Sequence, residues 1–314
     1  MSQSILVTGG AGFLGSHLAH ALALKGERVV VYDNFSAGLP ANLLDISDRL
    51  AIVSGDILDL SYLLQTMLKT GVNRVIHTAA LVSFPVCVEK PALAAKVNIE
   101  GTINLLDASR IVGVKRYLDV SSEETYGTFQ YEPADEDHPP SPTQPYAITK
   151  MAAERYEDFY RRYFGLDVVI IRTSWVYGPG LPRSRPPKSF IENSLKGLPT
   201  RMDSGADQRV DHTYIDDFVQ GALLAFEARQ PQSRIFHIAS GEAHTFREMA
   251  QMVAEIIPGA DITIGAGLIK YSPEVSAPQK GALNIDRARK ELGYQPRTML
   301  FEGLKKYTEF LKKG

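Results

Sequence analysis

A glycine-rich turn near the start of the chain constrains the fold more than any other feature. It lies between the apolar run Ser4–Val7 and a helical pattern, and its closely spaced glycines are Gly9, Gly12 and Gly15. Such glycines let the backbone turn sharply and approach a pyrophosphate. The helix that follows directs its unpaired N–H groups and the positive end of its dipole at that anion. This order predicts the first half of a dinucleotide-binding βαβ unit.

Asp33 indicates which dinucleotide the unit binds. It follows a second apolar run, Arg28–Tyr32, about 20 positions beyond the glycines, as in nucleotide-binding βαβ units. A carboxylate at that position accepts hydrogen bonds from both ribose hydroxyls of the adenosine and repels a 2′-phosphate. The sequence therefore predicts NAD rather than NADP as the cofactor.

Composition excludes several classes of protein. The formal net charge of −2 leaves no large basic surface for nucleic acid or for an anionic membrane. Cys87 is the only cysteine, which excludes an internal disulfide and a multi-cysteine metal site, and we expect no metal. No run of about 18 apolar residues is present to span a bilayer. Because the first apolar run begins at Ser4, we expect no signal peptide and a cytoplasmic protein.

Alternating strand and helix patterns predict an α/β fold, a doubly wound parallel sheet of the Rossmann type. The apolar, β-branched runs are Ser4–Val7, Arg28–Tyr32, Leu50–Ser54, Arg74–His77, Arg116–Val120 and Asp167–Arg172, and Arg234–Ile238 adds one more strand. We expect an NAD-binding domain over 1–178, with 210–240 returning to it. Residues 179–209 and 241–314 then form a smaller, discontinuous substrate-binding lobe.

The predicted secondary structure of that second lobe is less regular. The proline-rich run Leu181–Lys188 predicts irregular structure, followed by a helix from about Lys188 to Lys196 and a loop around Arg201–Arg209. From about Thr245 onward we expect mostly helix, with a short strand near Ile262–Ile264.

Tyr146 and Lys150 are the first candidates for catalysis. They stand four positions apart on a predicted helix, Tyr146–Phe164, and so share one face. An ammonium beside a phenol favours the phenolate, and a bound nicotinamide cation adds to that field. The pKa of the tyrosine then falls from about 10 toward neutrality, where it exchanges a proton with a substrate hydroxyl. Ser122, just beyond the run Arg116–Val120, offers a hydroxyl at the same sheet edge for the reacting oxygen.

Further motifs recur in order along the whole chain. They are Tyr32-Asp-Asn34, Gly55-Asp-Ile57, His77-Thr-Ala-Ala80, Asn98-Ile-Glu-Gly-Thr102, Ser121-Ser122 with Tyr126-Gly127, Pro145-Tyr-Ala-Ile-Thr-Lys150, Val176-Tyr-Gly-Pro179, Tyr214-Ile-Asp-Asp217 and Glu291-Leu-Gly-Tyr294. With the glycine turn, they make the chain resemble the extended short-chain dehydrogenases/reductases of the NAD-dependent epimerase/dehydratase type, the group of UDP-glucose 4-epimerases and nucleotide-sugar dehydratases.

The resemblance implies a role for each matching residue. Tyr146 is the general base, Ser122 its hydroxyl partner, and Lys150 also holds the nicotinamide ribose. The other cofactor-binding residues that it implies are Gly9, Gly12, Phe13, Leu14 and Gly15 in the turn, Asp33 and Asn34 at the ribose, Asp56 and Ile57 at the adenine, Ala79 and Ala80 in the cleft, and Asn98 behind it. It also implies a homodimer through a four-helix bundle, with helices around Pro91–Val112 and Tyr146–Phe164.

Two glutamates after Ser122 depart from the pattern of the 4-epimerases. Glu123 and Glu124 match positions where nucleotide-sugar dehydratases and decarboxylases carry acidic residues, and Glu124 matches a base that acts at C5. Elimination of water needs a base at one carbon and an acid at the next, so paired carboxylates suit it. The alternative interpretation is that one or both lie on a solvated loop and take no part in chemistry.

The substrate-binding positions depart as well. Trp175 replaces the asparagine that usually meets the substrate diphosphate, and Lys280 is the nearest cation where an arginine is usual. Because arginine binds phosphate in a bidentate way that lysine does not reproduce, a smaller sugar or sugar acid becomes a credible substrate. The substrate-binding candidates are Ser83, Ser122, Trp175, Arg183, Arg185 and Arg209.

Three functions follow from these observations. The first is an NAD-dependent epimerase or dehydratase that acts on a nucleotide sugar through a transient ketone. The second is an NAD-dependent dehydrogenase of a free sugar, sugar acid or other small alcohol, which releases NADH in each cycle. The third is a cofactor-sensing protein without turnover, which the Tyr146 and Lys150 pair disfavours.

Overall fold

The computed structural model of the protein describes residues 3–313, which form two compact units. Unit 1 contains the described residues up to Thr125, together with Pro140–Arg172 and Ala222–Phe236. Unit 2 contains Tyr126–Pro139, Thr173–Gly221 and the described residues from His237 onward. These boundaries differ from the expected 1–178 and 210–240. They run through a strand and a helix, where composition does not change.

A seven-stranded sheet organises the chain. The strands of the described residues are β1 Ser4–Thr8, β2 Val29–Asp33, β3 Leu50–Ser54, β4 Val72–His77, β5 Arg116–Ser122, β6 Val168–Thr173, β7 Trp175–Tyr177, β8 Thr200–Met202, β9 Arg209–Tyr214, β10 Ile235–Ile238, β11 Ala243–Thr245 and β12 Ile262–Ile264. The sheet order is β10-β6-β5-β4-β1-β2-β3. The chain runs outward from β1 to β3 and then crosses to β4 on the other side of β1. This confirms the doubly wound fold and places its switch point between β1 and β4.

Helices alternate with these strands. They are α1 Phe13–Leu24, α2 Leu60–Thr70, α3 Phe84–Glu89, α4 Pro91–Ala95, α5 Gly101–Val112, α6 Pro145–Phe164, α7 Lys188–Leu195, α8 Ile215–Glu227, α9 Phe246–Ile256, α10 Asp286–Leu292 and α11 Leu300–Lys313. A π-helical turn, Lys96–Glu100, joins α4 to α5, and 3-10 helices span Pro40–Arg49 and Glu123–Tyr126. None of the helices in residues 3–313 is long and apolar enough to cross a bilayer.

The core of unit 1 lies between the sheet and its helices. Leu6 of β1, Val30 of β2 and Val75 of β4 are fully buried with Leu63 of α2 and Leu105 of α5. Strands covered on both faces need continuous apolar runs, which is why these strands do not alternate with polar residues. Each such side chain contributes about 2 kcal/mol by burial.

Helix α6 places the candidate catalytic residues in its first two turns. It begins at Pro145, whose missing N–H costs nothing at a helix start. It ends at Gly165, whose φ of +68° is the left-handed conformation that glycine adopts without strain. The arginines of its last turn, Arg161 and Arg162, complement the negative end of the helix dipole.

Unit 2 contains small sheets, of whose strands sequence patterns predicted β12 alone. β7, β9 and β11 form a three-stranded sheet, and β8 pairs with β12. The predicted loop around Arg201–Arg209 is wrong at both ends, because Arg201 lies in β8 and Arg209 begins β9. The predicted helical region from Thr245 is correct for α9, α10 and α11, but residues 265–285 form no helix. Strands of three residues are too short to show a period of two.

Candidate active site

The glycine turn is shaped by close packing at two of its glycines. Gly9 has a φ of +66°, and a Cβ there would lie 2.7 Å from the backbone nitrogen of Ala79. A Cβ at Gly15 would overlap the carbonyl oxygen of Gly9 and lie 2.7 Å from Thr78 Oγ1. These glycines hold the end of β1 and the start of α1 against the segment that follows β4.

Gly12 is a glycine for a different reason. Its φ of −76° suits any residue, and a Cβ there would approach only the carbonyl oxygen of Gly9, at 3.1 Å. That contact with a backbone atom is tighter than an ordinary one, and close approach of a dinucleotide would be a further reason for glycine here. Among the described residues no side chain caps α1, so its first N–H groups are available to an anion. The turn fits the pyrophosphate of a dinucleotide.

Asp33 lies beside this turn at the end of β2. Its carboxylate is buried and accepts hydrogen bonds from the backbone N–H of Ala11 (2.9 Å) and Phe35 (2.8 Å). Each oxygen keeps a second lone pair for a ribose hydroxyl. Asn34 donates to the carboxylate of Asp56 at 2.9 Å, so the expected ribose and adenine residues are neighbours.

Asn98 connects the segment after β4 to α6. Its amide oxygen accepts from the backbone N–H of Leu81 (2.7 Å), and its amide nitrogen donates to Leu81 O and to Thr149 Oγ1, each at 3.0 Å. Asn98 is buried in the π-helical turn, a local widening that is frequent at functional sites. It therefore fixes the segment after β4 that contains Ala79 and Ala80. Ser83 lies further along, immediately before α3.

The structure brings Ser122, Tyr146 and Lys150 together within unit 1. Ser122 is the last residue of β5, and its side chain is hydrogen-bonded to that of Tyr146. Lys150, one turn further along α6, is buried and donates to Asp119 Oδ2 at 3.2 Å. A hydroxyl, a phenol and an ammonium thus converge at the carboxyl end of the sheet, where open α/β sheets bind ligands.

Burial and several charged groups act on the pKa of Tyr146. Burial raises the pKa of Tyr146, and Lys150 and the hydrogen bond from Ser122 offset only part of this effect. The charges of Glu124 and Asp119 raise the pKa further. The field of Lys150 alone therefore does not bring the phenol toward neutrality, and the positive nicotinamide ring of bound NAD is needed as well.

Glu123 and Glu124 occupy the 3-10 turn that follows β5. Glu123 is only 1% exposed, so the alternative that it lies on a solvated loop is wrong. Glu124 is half-buried, and its backbone N–H donates to Ser122 Oγ at 3.2 Å. Because its charge acts on Tyr146, its carboxylate lies close enough to the base to influence proton transfer.

The expected substrate-binding residues beyond Ser83 and Ser122 lie in unit 2. The guanidinium of Arg185 stacks on the ring of Trp175, 4.4 Å from its centroid, and Arg183 lies two residues before it. Arg209 does not meet them. Its Nη1 pairs with Glu132 Oε2 at 2.6 Å, and its Nη2 donates to the carbonyl of Ala243.

Sequence reasoning missed the surroundings of Lys150. Asp119 and Glu157 are both fully buried near its ammonium, and neither was singled out. An acidic residue inside an otherwise apolar strand was the available signal at Asp119. His77, by contrast, is buried between the hydroxyl groups of Thr8 and Thr102, which indicates a structural role.

A family model for the NAD-dependent epimerases/dehydratases matches residues 5–239, well over half of the chain. The chain belongs to the NAD-dependent epimerase/dehydratase family. It is accordingly an NAD-dependent enzyme, which confirms the predicted family and cofactor.

Known members of the epimerase/dehydratase family match the chain along its whole length. A UDP-glucose 4-epimerase of Mycolicibacterium smegmatis is 34% identical over 322 residues, covering 98% of each chain. The UDP-glucose 4-epimerase of Thermotoga maritima, solved with UDP-glucose, has a TM-score of 0.91 at 31% identity and covers 99% of each chain. That of Thermus thermophilus, solved with NAD, has a TM-score of 0.87 at 29% identity with the same coverage.

Proposed function

We propose that the protein is a 4-epimerase of a nucleotide sugar and that a UDP-sugar is its substrate. The observation that carries the proposal is the group of Ser122, Tyr146 and Lys150 at the sheet edge that also carries the glycine turn. The relatives that act on UDP-glucose support the choice of substrate class.

Each residue of this group has a defined task in the proposed reaction. Ser122 donates a hydrogen bond to the C4 oxygen, and Tyr146 takes the hydroxyl proton as the C4–H bond breaks. Bound NAD supplies the acceptor for that hydride and the source from which it returns. Lys150 favours the phenolate before the step and holds the nicotinamide ribose. When the hydride returns to the other face of the ketone, Tyr146 gives its proton back to the C4 oxygen.

Elimination of water is the second candidate. Buried Glu123 and half-buried Glu124 favour it, because a carboxylate at C5 and an acid at C6 convert the same ketone into an unsaturated sugar. Burial helps keep a carboxylic acid protonated at neutral pH, as an acid for the leaving hydroxyl requires.

Deuterium oxide separates the two candidates. The enzyme is incubated with NAD and a panel of UDP- and dTDP-hexoses, and the products are followed by proton NMR. A 4-epimerase gives the C4 epimer without solvent deuterium, since the hydride comes back from the cofactor. A dehydratase gives a 4-keto-6-deoxy sugar with deuterium at C5. Loss of turnover in Tyr146→Phe, about 10²- to 10⁴-fold, is expected for both.

The alternative of a plain dehydrogenase is tested by binding. Trp175 and the commitment of Arg209 to Glu132 motivate it, because both weaken the expected grip on a diphosphate. In the presence of NAD, a ligand that binds the folded state raises the melting temperature by mass action. Stabilisation by UDP-sugars supports the 4-epimerase. Stabilisation by sugar acids alone, with net NADH production, supports the dehydrogenase.

We also propose a homodimer that forms through α5 and α6. An exposed apolar stripe runs along α6, with Ile148, Tyr156, Phe159 and Tyr163 each at least 41% exposed. Large apolar side chains in one stripe are typical of protein interfaces. Sedimentation of the wild type as a dimer and of Phe159→Lys as a monomer is expected. Cys87 is the only cysteine of the chain, so no internal disulfide can form, which favours a cytoplasmic location.

A further inference from the structure

Lys150 has an unusual counter-ion in the middle of the central sheet. Asp119 is the only acidic residue of β5, whose other side chains are largely apolar or hydroxylic, and it is 0% exposed. Its two carboxylate oxygens lie 3.2 and 3.4 Å from Lys150 Nζ. An isolated buried charge costs several kcal/mol, so an acidic residue persists there only because an ammonium meets it.

A second buried carboxyl faces the same ammonium. Helix α6 places Lys150, Glu154 and Glu157 on one face, and Arg172 pairs with Glu154 at 2.6 Å. Neither carboxyl oxygen of Glu157 has a hydrogen-bond partner among the described residues. Burial raises the pKa of Glu157 well above its usual value, and the charge of Asp119 raises it further. Burial therefore favours the neutral, protonated form of the Glu157 carboxyl group.

The structure favours the protonated, positively charged form of Lys150. Burial disfavours the ammonium, but Asp119 and then Tyr146 outweigh this effect, so the pKa of Lys150 is raised. Glu157 also borders a cavity of about 190 Å³ beside α6, which has room for water. Burial raises the pKa of both Asp119 and Glu157, but only Asp119 is hydrogen-bonded to Lys150, which favours the negative charge on Asp119.

We propose that Asp119 is a positioning residue that anchors Lys150 and offsets its charge at Tyr146, with Glu157 as a reserve carboxyl that ionises when Asp119 is removed. The proposal rests on the role of Tyr146 as the base. The ion pair of Lys150 and Asp119 acts on the phenol of Tyr146 as a dipole rather than as a full positive charge. Asp119 therefore keeps the phenolate more basic than an unpaired Lys150 would, at the cost of a smaller phenolate fraction at low pH.

Several charged groups around Tyr146 enter this balance. They are Lys150, Glu154 and Glu157 from α6, Asp119 from β5, Glu124 from the 3-10 turn, Arg172 from β6 and His77 from β4. Burial lowers the pKa of His77 to about 3, so it is neutral, and Glu154 is paired with Arg172. Glu124 and Asp119 are left as the charged groups that oppose Lys150 at the phenol.

The experiment compares Asp119→Asn, Glu157→Gln and the double variant as NAD-loaded proteins. Tyrosine labelled with ¹³C at Cζ reports the phenol and the phenolate, and Tyr146→Phe identifies the signal. Removal of one nearby buried charge lowers the titration midpoint of Tyr146 by about one pH unit. We expect the full shift in the double variant and a smaller one in Asp119→Asn, where Glu157 takes over the charge. Asp158→Asn, one residue along the same helix, is the matched control and leaves the midpoint unchanged.

The proposal is overturned if Tyr146 has the same titration midpoint in the double variant as in the wild type. The acid limb of kcat/KM distinguishes its failure from that of the proposed function. If the Tyr146 signal moves and the acid limb does not, Tyr146 is not the base, although Asp119 still sets its charge environment. If Asp119→Asn does not fold, infrared spectra of the wild type and of Glu157→Gln test the proposal instead. The carbonyl band of a protonated carboxyl group at pH 7 must be lost in Glu157→Gln, and a wild type without that band contradicts the proposal.

Discussion

His77 predicts how the stability of unit 1 depends on pH. The imidazole is 1% exposed and lies between two hydroxyl groups. Thr102 donates its hydroxyl proton to Asn98 O at 2.8 Å, so its oxygen accepts from His77 Nε2 at 3.0 Å. Nδ1 then accepts from the Thr8 hydroxyl at 2.7 Å. This hydrogen-bond network places the proton of the neutral ring on Nε2, and a second proton on Nδ1 would break the hydrogen bond that Thr8 donates.

The magnitude follows from proton linkage. Burial, with a smaller contribution from the charge of Lys150, lowers the pKa of His77 to about 3, whereas an unfolded histidine has a pKa of about 6.5. Above pH 6.5 both states are neutral and the full stability is present. As the pH falls from 6.5 toward 3, only the unfolded chain binds the proton, so the free energy of unfolding decreases. Between pH 7 and pH 5 this loss is about 2 kcal/mol.

Urea unfolding at pH 7 and pH 5 measures the effect. His77→Asn keeps an acceptor for Thr8 but cannot bind a proton, so we expect the wild type to lose about 2 kcal/mol more than this variant over that interval. Ser109→Ala, a buried change without a titratable group, serves as the control and should follow the wild type at both pH values. Equal losses in the wild type and His77→Asn would refute the assignment of a neutral, buried imidazole.

Three further predictions concern the cofactor site and the sheet. Gly9→Ala forces a side chain into the left-handed region against the Ala79 backbone, so we expect a loss of about 1–3 kcal/mol in thermal unfolding and weaker NAD binding; an unchanged melting temperature contradicts this. Asp33→Ser removes the carboxylate that accepts from the ribose hydroxyls, so a fluorescence titration should show roughly 10- to 100-fold weaker binding of NADH and tighter binding of NADPH. A variant that keeps the wild-type preference for NADH would contradict this role of Asp33. Arg116 donates to the carbonyls of Phe226 (2.8 Å) and Ala228 (2.7 Å). Arg116→Lys should therefore lower the free energy of unfolding in urea by on the order of 3 kcal/mol, and an unchanged free energy would contradict this structural role.

The dinucleotide half of the site was predictable because its signals are local. The strand lengths, the glycine turn and the four-residue spacing of Tyr146 and Lys150 are all set within a few residues, and the structure has β3 and β12 where the sequence patterns placed them. The rest depends on contacts between distant residues. Arg209 meets Glu132, 77 positions away, and Asp119 meets Lys150, 31 positions away, pairings that no local pattern encodes.

The same limit explains the errors in unit 2. The strand β9 is six residues long, but β7, β8 and β11 have three residues each, and their pairing with neighbouring strands gives them their structure. The groups that oppose Lys150 at Tyr146 were missed for a related reason. Burial and the charges of Asp119 and Glu124 oppose Lys150, and none of these is visible in the spacing of two residues on a helix.

The central claim is that one hydride leaves C4 of a nucleotide sugar and returns to the same carbon. A UDP-hexose carrying deuterium at C4 tests it directly, with the enzyme and NAD in ordinary water and the reaction followed by NMR and by absorbance of NADH. We predict that the C4 epimer keeps its deuterium and that NADH does not accumulate. Loss of the label from C4, or NADH formed in proportion to product, would contradict the account.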